Sequence, residues 1–238
     1  MEFDELDLSE RLRLARRGTA YLARHLAGLR DDRFNEATLL PGWSRRHLIA
    51  HIGYNAAALC RLLDWAATGV ETPMYTCAEQ RGTEIEQGAT LRPDALRNLL
   101  QHNASRLDQK WKNLPAPAWT ATVRTAQGRS VPAVETVWMR TREVWIHAVD
   151  LDNGARFDDF PAPVLESLLG DVVASWRRRK VGGGIVLIAD GREIVVEPSS
   201  TVASRVSGSL PALVRWATGR GAIGLHTSGP LPNAPRWL

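Results

Sequence analysis

Three side chains in this 238-residue sequence carry the donor atoms that a divalent metal takes: His51, Glu143 and His147. Glu143 and His147 stand four residues apart, so on an α-helix they project from one turn and can both reach a single ion. They belong to a polar seam of Thr136, Arg140, Glu143, His147 and Asp150. The rest of that stretch is apolar nearly all round, through Val134, Val137, Trp138, Met139, Val144, Trp145, Ile146 and Ala148. A polar seam on a buried helix needs a filled polar cavity. His51 and Asn55 share a helical stripe with Leu48, Ala58 and Leu62, which turns an imidazole and an amide inward as well. Two histidines and one carboxylate suit zinc best among the common ions, and three protein ligands leave a fourth position open, as catalytic zinc sites do. Spacing alone is also compatible with an exposed Glu143–His147 pair and with His51 as a core histidine bonded to a backbone carbonyl. Asp150, three residues after His147, stands either as the carboxylate that orients a liganding imidazole or as a solvated residue near a helix end. His47, one turn before His51, lies nearer the edge of the stripe and is left outside the ligand set. Arg220, between Gly219 and Gly221, can bring a planar five-donor cation close to a carboxylate, and Arg81, in the long connection after Pro73-Met74-Tyr75, is a second candidate for the same role, assigned to cofactor binding.

These residues need elements to position them. From Leu8 the apolar positions Leu12, Ala15, Thr19, Leu22, Leu26 and Leu29 advance by threes and fours, which predicts a first long helix. Pro41-Gly42-Trp43 breaks the chain, Ser44 caps, and a second helix runs to about Ala67. Gly69 to Thr90 reads as a long connection. Pro93 opens a third helix with Leu96, Leu99, Leu100, Asn103 and Leu107 on one side. Residues 114–132 form another crossing segment, with short strands around Val123, and Pro132 starts a fourth helix reaching Leu151. Four long helices with long connections describe a four-helix bundle, in which metal sites sit between helices. After Asp152-Asn153-Gly154 the pattern changes. Pro163 to Lys180 is a helix, and Ile185–Ala189 and Ile194–Val196 are strands joined by the hairpin dipeptide Asp190-Gly191. Val202 to Val206 adds a strand, Ser209 caps a helix from Leu210 to Thr218, and a Pro-rich tail follows. The expected fold is mainly α: a metal-binding four-helix bundle over residues 1–155 and a small α+β domain over residues 156–238.

Composition excludes several classes of function. The net charge of +4 comes from 20 basic and 19 acidic side chains in residues 1–155 and from 10 and 7 in residues 156–238. The one dense basic run, Arg177-Arg178-Arg179-Lys180, closes a predicted helix, where cations offset the C-terminal dipole. No nucleic-acid partner is expected. No run approaches 18 apolar residues and no signal-peptide core precedes the first helix, so neither a membrane span nor export is expected. Cys60 and Cys77 lack CxxC spacing and read as ordinary thiols of a cytoplasmic protein. Nothing in the chain specifies an oligomer, and a monomer is expected.

Several stretches resemble a known family. Leu40-Pro41-Gly42-Trp43-Ser44 leading into His47-Leu48-Ile49-Ala50-His51, then Glu71-Thr72-Pro73-Met74-Tyr75, then Arg142 through Asp150, are similar to the mycothiol-dependent maleylpyruvate isomerases. Gly208-Ser209-Leu210, Gly219-Arg220-Gly221 and Pro235-Arg236-Trp237-Leu238 carry the resemblance to the end of the chain. The histidine and Glu-x-x-x-His pieces alone indicate only the broader superfamily of metal-binding DinB-like bundles. The resemblance implies a DinB-like bundle with His51, Glu143 and His147 as ligands of a divalent metal, zinc, and with Arg220 as an arginine required for activity. It also implies mycothiol as cofactor and maleylpyruvate as the small-molecule substrate, isomerised from cis to trans to give fumarylpyruvate in gentisate-type aromatic catabolism. Such a reaction proceeds by thiolate addition to the alkene, rotation about the resulting single bond, and elimination. The same ligands also suit a DinB-like thiol S-transferase or a metal-dependent hydrolase, and a non-catalytic metal-binding regulator is a third reading. A transferase consumes one thiol per turnover, an isomerase returns it, and a regulator shows no thiol-dependent turnover.

Overall fold

Helix α1 (Leu8–Ala27) buries Leu14, Ala15, Leu22 and Leu26 along the predicted stripe. The computed structural model describes residues 1–198 and 201–237. Leu238 of the carboxy-terminal motif lies outside the described residues. Helix α2 (Arg45–Thr68) starts at Ser44, whose side chain caps the helix in a reciprocal arrangement with His47, and ends at Gly69 in the left-handed conformation. Helix α3 (Gln80–Ala89) lies inside the stretch 69–90 expected to be a connection. The departure has a physical source: α3 is ten residues long, with only Ile85 and Gly88 buried, too few positions for a helical period to show. Helix α4 (Pro93–Asn113) follows its proline start. Strands β1 (Thr122–Arg124) and β2 (Ser130–Pro132) pair antiparallel with Val123 opposite Val131. Pro132 ends β2, so helix α5 (Glu135–Asp150) begins three residues later than expected.

Helices α1, α2, α4 and α5 make the bundle. Leu14 and His25 of α1 contact Trp145 and Asn153 at successive levels, so α1 and α5 run the same way. Arg46 and Asp64 of α2 meet Leu91 and Lys110, so α2 and α4 also share a direction. Arg16 pairs with Asp108 and Arg97 with Asp31, which sets α4 against α1. Two parallel helices in succession need a crossover between them, and the segment that holds α3 is that crossover. Two glycines permit close packing. A Cβ on Gly18 would stand 2.6 Å from both Trp145 and Val144, and one on Gly88 would stand 2.7 Å from the Ala50 Cβ.

The bundle, Leu8–Ala155, is one compact unit, and Met1–Asp7 with Arg156–Leu238 form the other. In the second unit helix α6 (Ala162–Arg178) and helix α7 (Leu210–Ala217) accompany a four-stranded sheet in the order β4-β3-β5-β6. Its strands are β3 (Ile185–Ala189), β4 (Arg192–Val195), β5 (Ser204–Gly208) and β6 (Leu225–Thr227). Asp190 and Gly191 both have positive φ, 48° and 86°, as the two-residue turn between β3 and β4 demands. β5 runs parallel to β3, and β6 occupies part of the stretch expected to be a tail. Trp176 is fully buried and meets the Trp216 ring edge-on at 5.9 Å. Among the described residues, no helix is long and apolar enough to cross a membrane.

Candidate metal centre

Helices α2 and α5 bring His51, Glu143 and His147 to one point. Oε2 of Glu143 lies 2.9 Å from Nε2 of His51 and 3.1 Å from Nε2 of His147. One donor atom from each of the three falls within 4.8 Å of the others. In a tetrahedral zinc site with ligand bonds of 2.0–2.1 Å, neighbouring donors stand about 3.3 Å apart. A small opening of the cluster therefore makes room for a divalent ion, and this donor set fits one.

The surroundings support the same fit. Nδ1 of His147 lies 2.8 Å from Oδ2 of Asp150, which is 0% exposed. A carboxylate on Nδ1 keeps that nitrogen protonated and leaves the Nε2 lone pair for a ligand, the outer arrangement common at metal-bound histidines. Of the two sequence readings of Asp150, the structure matches the orienting carboxylate. Burial opposes a charged His147, yet the hydrogen bonds to Asp150 and Glu143 prevail and raise its pKa to about 9. Burial wins at His51 and lowers its pKa despite Glu143. Burial also opposes ionisation of Glu143, but hydrogen bonds from His147 and His51 hold its carboxyl well below the usual range. The carboxylates of Asp150 and Glu143 thus favour positive charge at His147, and a divalent cation would supply the same neutralisation.

Further residues complete the site. The Trp43 ring meets the His51 imidazole edge-on at 5.4 Å, and the two imidazoles stand at 85° to one another. Arg81 sits on α3, not in a loop, with Nη2 3.5 Å from Nδ1 of His51. Tyr75 is half-buried. Burial raises the pKa of its phenol, and the charges of Arg81, Glu84 and Glu143 also act on it. Tyr75 is not legible as a site residue in the sequence, because an isolated tyrosine in a Pro- and Thr-rich segment gives no periodic signal. His47 is spent on the helix cap, its Nδ1 2.7 Å from the Ser44 hydroxyl. Arg220 belongs to the other unit, where its backbone N–H donates to the Arg215 carbonyl at 2.8 Å and its guanidinium donates to the Thr218 carbonyl. Cys60 is buried, with its thiol pKa pushed up by burial, and Cys77 is exposed.

Residues 15–152 match the family model described as the mycothiol maleylpyruvate isomerase N-terminal domain. The chain belongs to this family. Two solved structures agree with it over 100% of both chains, at 48% identity and a TM-score of 0.96: a mycothiol-dependent maleylpyruvate isomerase and a histidine-to-alanine mutant of a mycothiol-dependent maleylpyruvate isomerase. Among curated proteins no relative matches. The part matched by the maleylpyruvate isomerase domain model contains His51, Glu143, His147, Asp150, Trp43, Tyr75 and Arg81, all the residues that build the centre. At 48% identity over the whole chain, the likeness to the solved isomerase reaches the carboxy-terminal α+β unit as well.

Proposed function

We propose that this chain is a mycothiol-dependent maleylpyruvate isomerase, acting in the cytoplasm as a monomer, with a divalent metal, zinc, held by His51, Glu143 and His147. The observation that carries the reading is the convergence of these three donors in a chain alike from end to end to a solved isomerase of that name. When bound, the metal supplies a Lewis acid that ionises a thiol at neutral pH, and mycothiol supplies that thiol as a nucleophile for the cis alkene.

The chain's own residues do the rest. Asp150 fixes the proton of His147 on Nδ1 and so presents Nε2 to the centre. Glu143 stays ionised against burial and offers the carboxylate ligand. Trp43 packs edge-on against the His51 ring and helps to hold its orientation. Arg81, within reach of His51, is assigned to an anionic or polar group of the cofactor. Isomerisation moves negative charge onto the carbonyl conjugated with the alkene, and a preorganised cation lowers that barrier. Arg220 is assigned this role, with binding of a ground-state carboxylate as its alternative. Loss of kcat with KM held in Arg220→Gln supports the first role, and a raised KM with kcat held supports the second.

The decisive measurement follows maleylpyruvate absorbance with and without mycothiol, before and after chelation. Turnover that needs both thiol and metal, with all thiol recovered, is the expected outcome. Consumption of one thiol per turnover would place the chain among S-transferases, and full activity after metal removal would overturn the metal assignment. Elution at twice the mass in size exclusion would overturn the monomer.

A further inference from the structure

On the side where α1 faces α4, the bundle stays open along a furrow of about 550 Å³, within the range of roughly 300–1,000 Å³ typical of small-molecule sites. Small side chains keep it open. Ala20, Ala23 and Ala27 recur on one face of α1 at steps of three and four, and Ala104 faces them from α4, with Leu26 and Leu107 adding apolar wall. The two arginines at the ends are neutralised, Arg16 by Asp108 at 2.6 Å and Arg97 by Asp31 at 2.6 Å.

Arg140, which reaches the furrow from α5, differs from both. It is 1% exposed, and its Nη1 donates to the Ile52 carbonyl at 2.7 Å and to Asn55 Oδ1 at 3.0 Å, both neutral acceptors. Its Nη2 is buried with no hydrogen-bond partner. Arg140 belongs to the furrow's wall while its Nη1 bonds go to α2, and because Nη2 is closed to solvent, an anion in the furrow reaches it by a small shift of the side chain. Burial pushes its pKa down to about 10, so it remains charged at neutral pH. A buried cation with an unused donor in an apolar slot is a poor arrangement by itself and a good one around an anion.

We propose that this furrow binds a medium-chain monocarboxylate, with the carboxylate on Nη2 of Arg140 and the hydrocarbon chain along the apolar faces of α1 and α4. One unpaired cationic donor calls for one anionic head, and the neutralised ends offer nothing to a second. The shape calls for a linear body: the lining runs from Arg16 to Ala27 and from Arg97 to Trp111, roughly 16 and 21 Å at 1.5 Å per residue. None of His51, Glu143 and His147 lines the furrow, and although the charge of Glu143 acts on Arg140 from three residues along α5, binding in the furrow does not rest on the activity proposed at the metal centre.

Calorimetric titration of the metal-loaded full chain with octanoate, and in parallel with octan-1-ol, tests the proposal. Saturable one-to-one binding of octanoate is expected, with the alcohol weaker by about tenfold because it forfeits the charge-assisted hydrogen bond. Ala104→Trp fills the furrow and is expected to abolish octanoate binding while leaving thiol-dependent turnover unchanged. Arg140→Met should lose the preference for the acid over the alcohol, and Arg140→Lys should keep part of it. If Arg140→Met does not fold, the acid–alcohol comparison and Ala104→Trp still decide. No saturable binding, equal affinity for acid and alcohol, or undiminished binding in Ala104→Trp would each overturn the assignment.

Discussion

At the residue scale the centre depends on how few atoms have to be right. His51 and His147 both address one oxygen of Glu143, and Asp150 sets which nitrogen His147 presents. Asp150→Asn keeps the shape and removes the charge that holds the Nδ1 proton. Metal affinity is expected to fall about 10–100-fold, read by competition with a chelator of known strength, and an unaltered affinity would deny Asp150 its orienting role. Arg81→Gln tests a different contact: the KM for mycothiol should rise about tenfold for a lost charge-assisted bond, with metal content unchanged and Arg81→Lys partly restored. A raised demand for metal instead would mean that Arg81 supports His51 and not the cofactor. The convergence of the three donors was legible in sequence because an i, i+4 pair and an inward stripe are properties of helical geometry alone. The position of Arg81 was not, because it depends on a helix whose own signal was too weak to read.

At the element scale, α3 shows where the sequence stops speaking. Helices α1, α2, α4 and α5 declare themselves through repeated apolar spacing, helped by the cap at Ser44 and the proline start at Pro93, and each lies within a few residues of its expected place. Helix α3 has one buried aliphatic residue, Ile85, and holds to α2 through a glycine. Strand β6, three residues long, gave no alternation to detect. Gly88→Ala puts a Cβ 2.7 Å from the Ala50 Cβ and 2.8 Å from Tyr54. Alanine gains about 1 kcal/mol in helix propensity, but forcing apart two packed backbones costs about 1–3 kcal/mol. The steric cost should win, and the ten-residue α3 should yield before α2 does. The expected result is faster hydrogen exchange in α3 together with the same rise in mycothiol KM as in Arg81→Gln, because Arg81 rides on that helix. Unchanged exchange in α3 would mean that the close contact with Ala50 is not what holds it.

At the scale of the whole molecule, the chain begins in one unit and spends its next 148 residues in the other. Hydropathy marks a change of character only well past Asp152-Asn153-Gly154, since one more helix, α6, precedes the short β-branched runs that begin at Ile185. It could not assign Met1–Asp7, because seven residues with four acids carry no pattern that points to a partner. Their place is set by packing: Phe3 is 3% exposed, Leu6 is 9% exposed, and the Phe3 backbone N–H donates to the Ser167 hydroxyl of α6 at 2.7 Å. Full burial of an apolar side chain of this size contributes about 1.5–3 kcal/mol, so Phe3 is a sizeable share of what a unit of this size can hold. Removal of residues 1–7 is therefore expected to speed proteolysis and amide exchange within residues 156–237. All three candidate ligands lie in Leu8–Ala155, so the metal affinity of the truncated chain should match that of the full chain. A metal affinity that falls along with the stability of residues 156–237 would show that the centre draws on more than the helices that carry its donors.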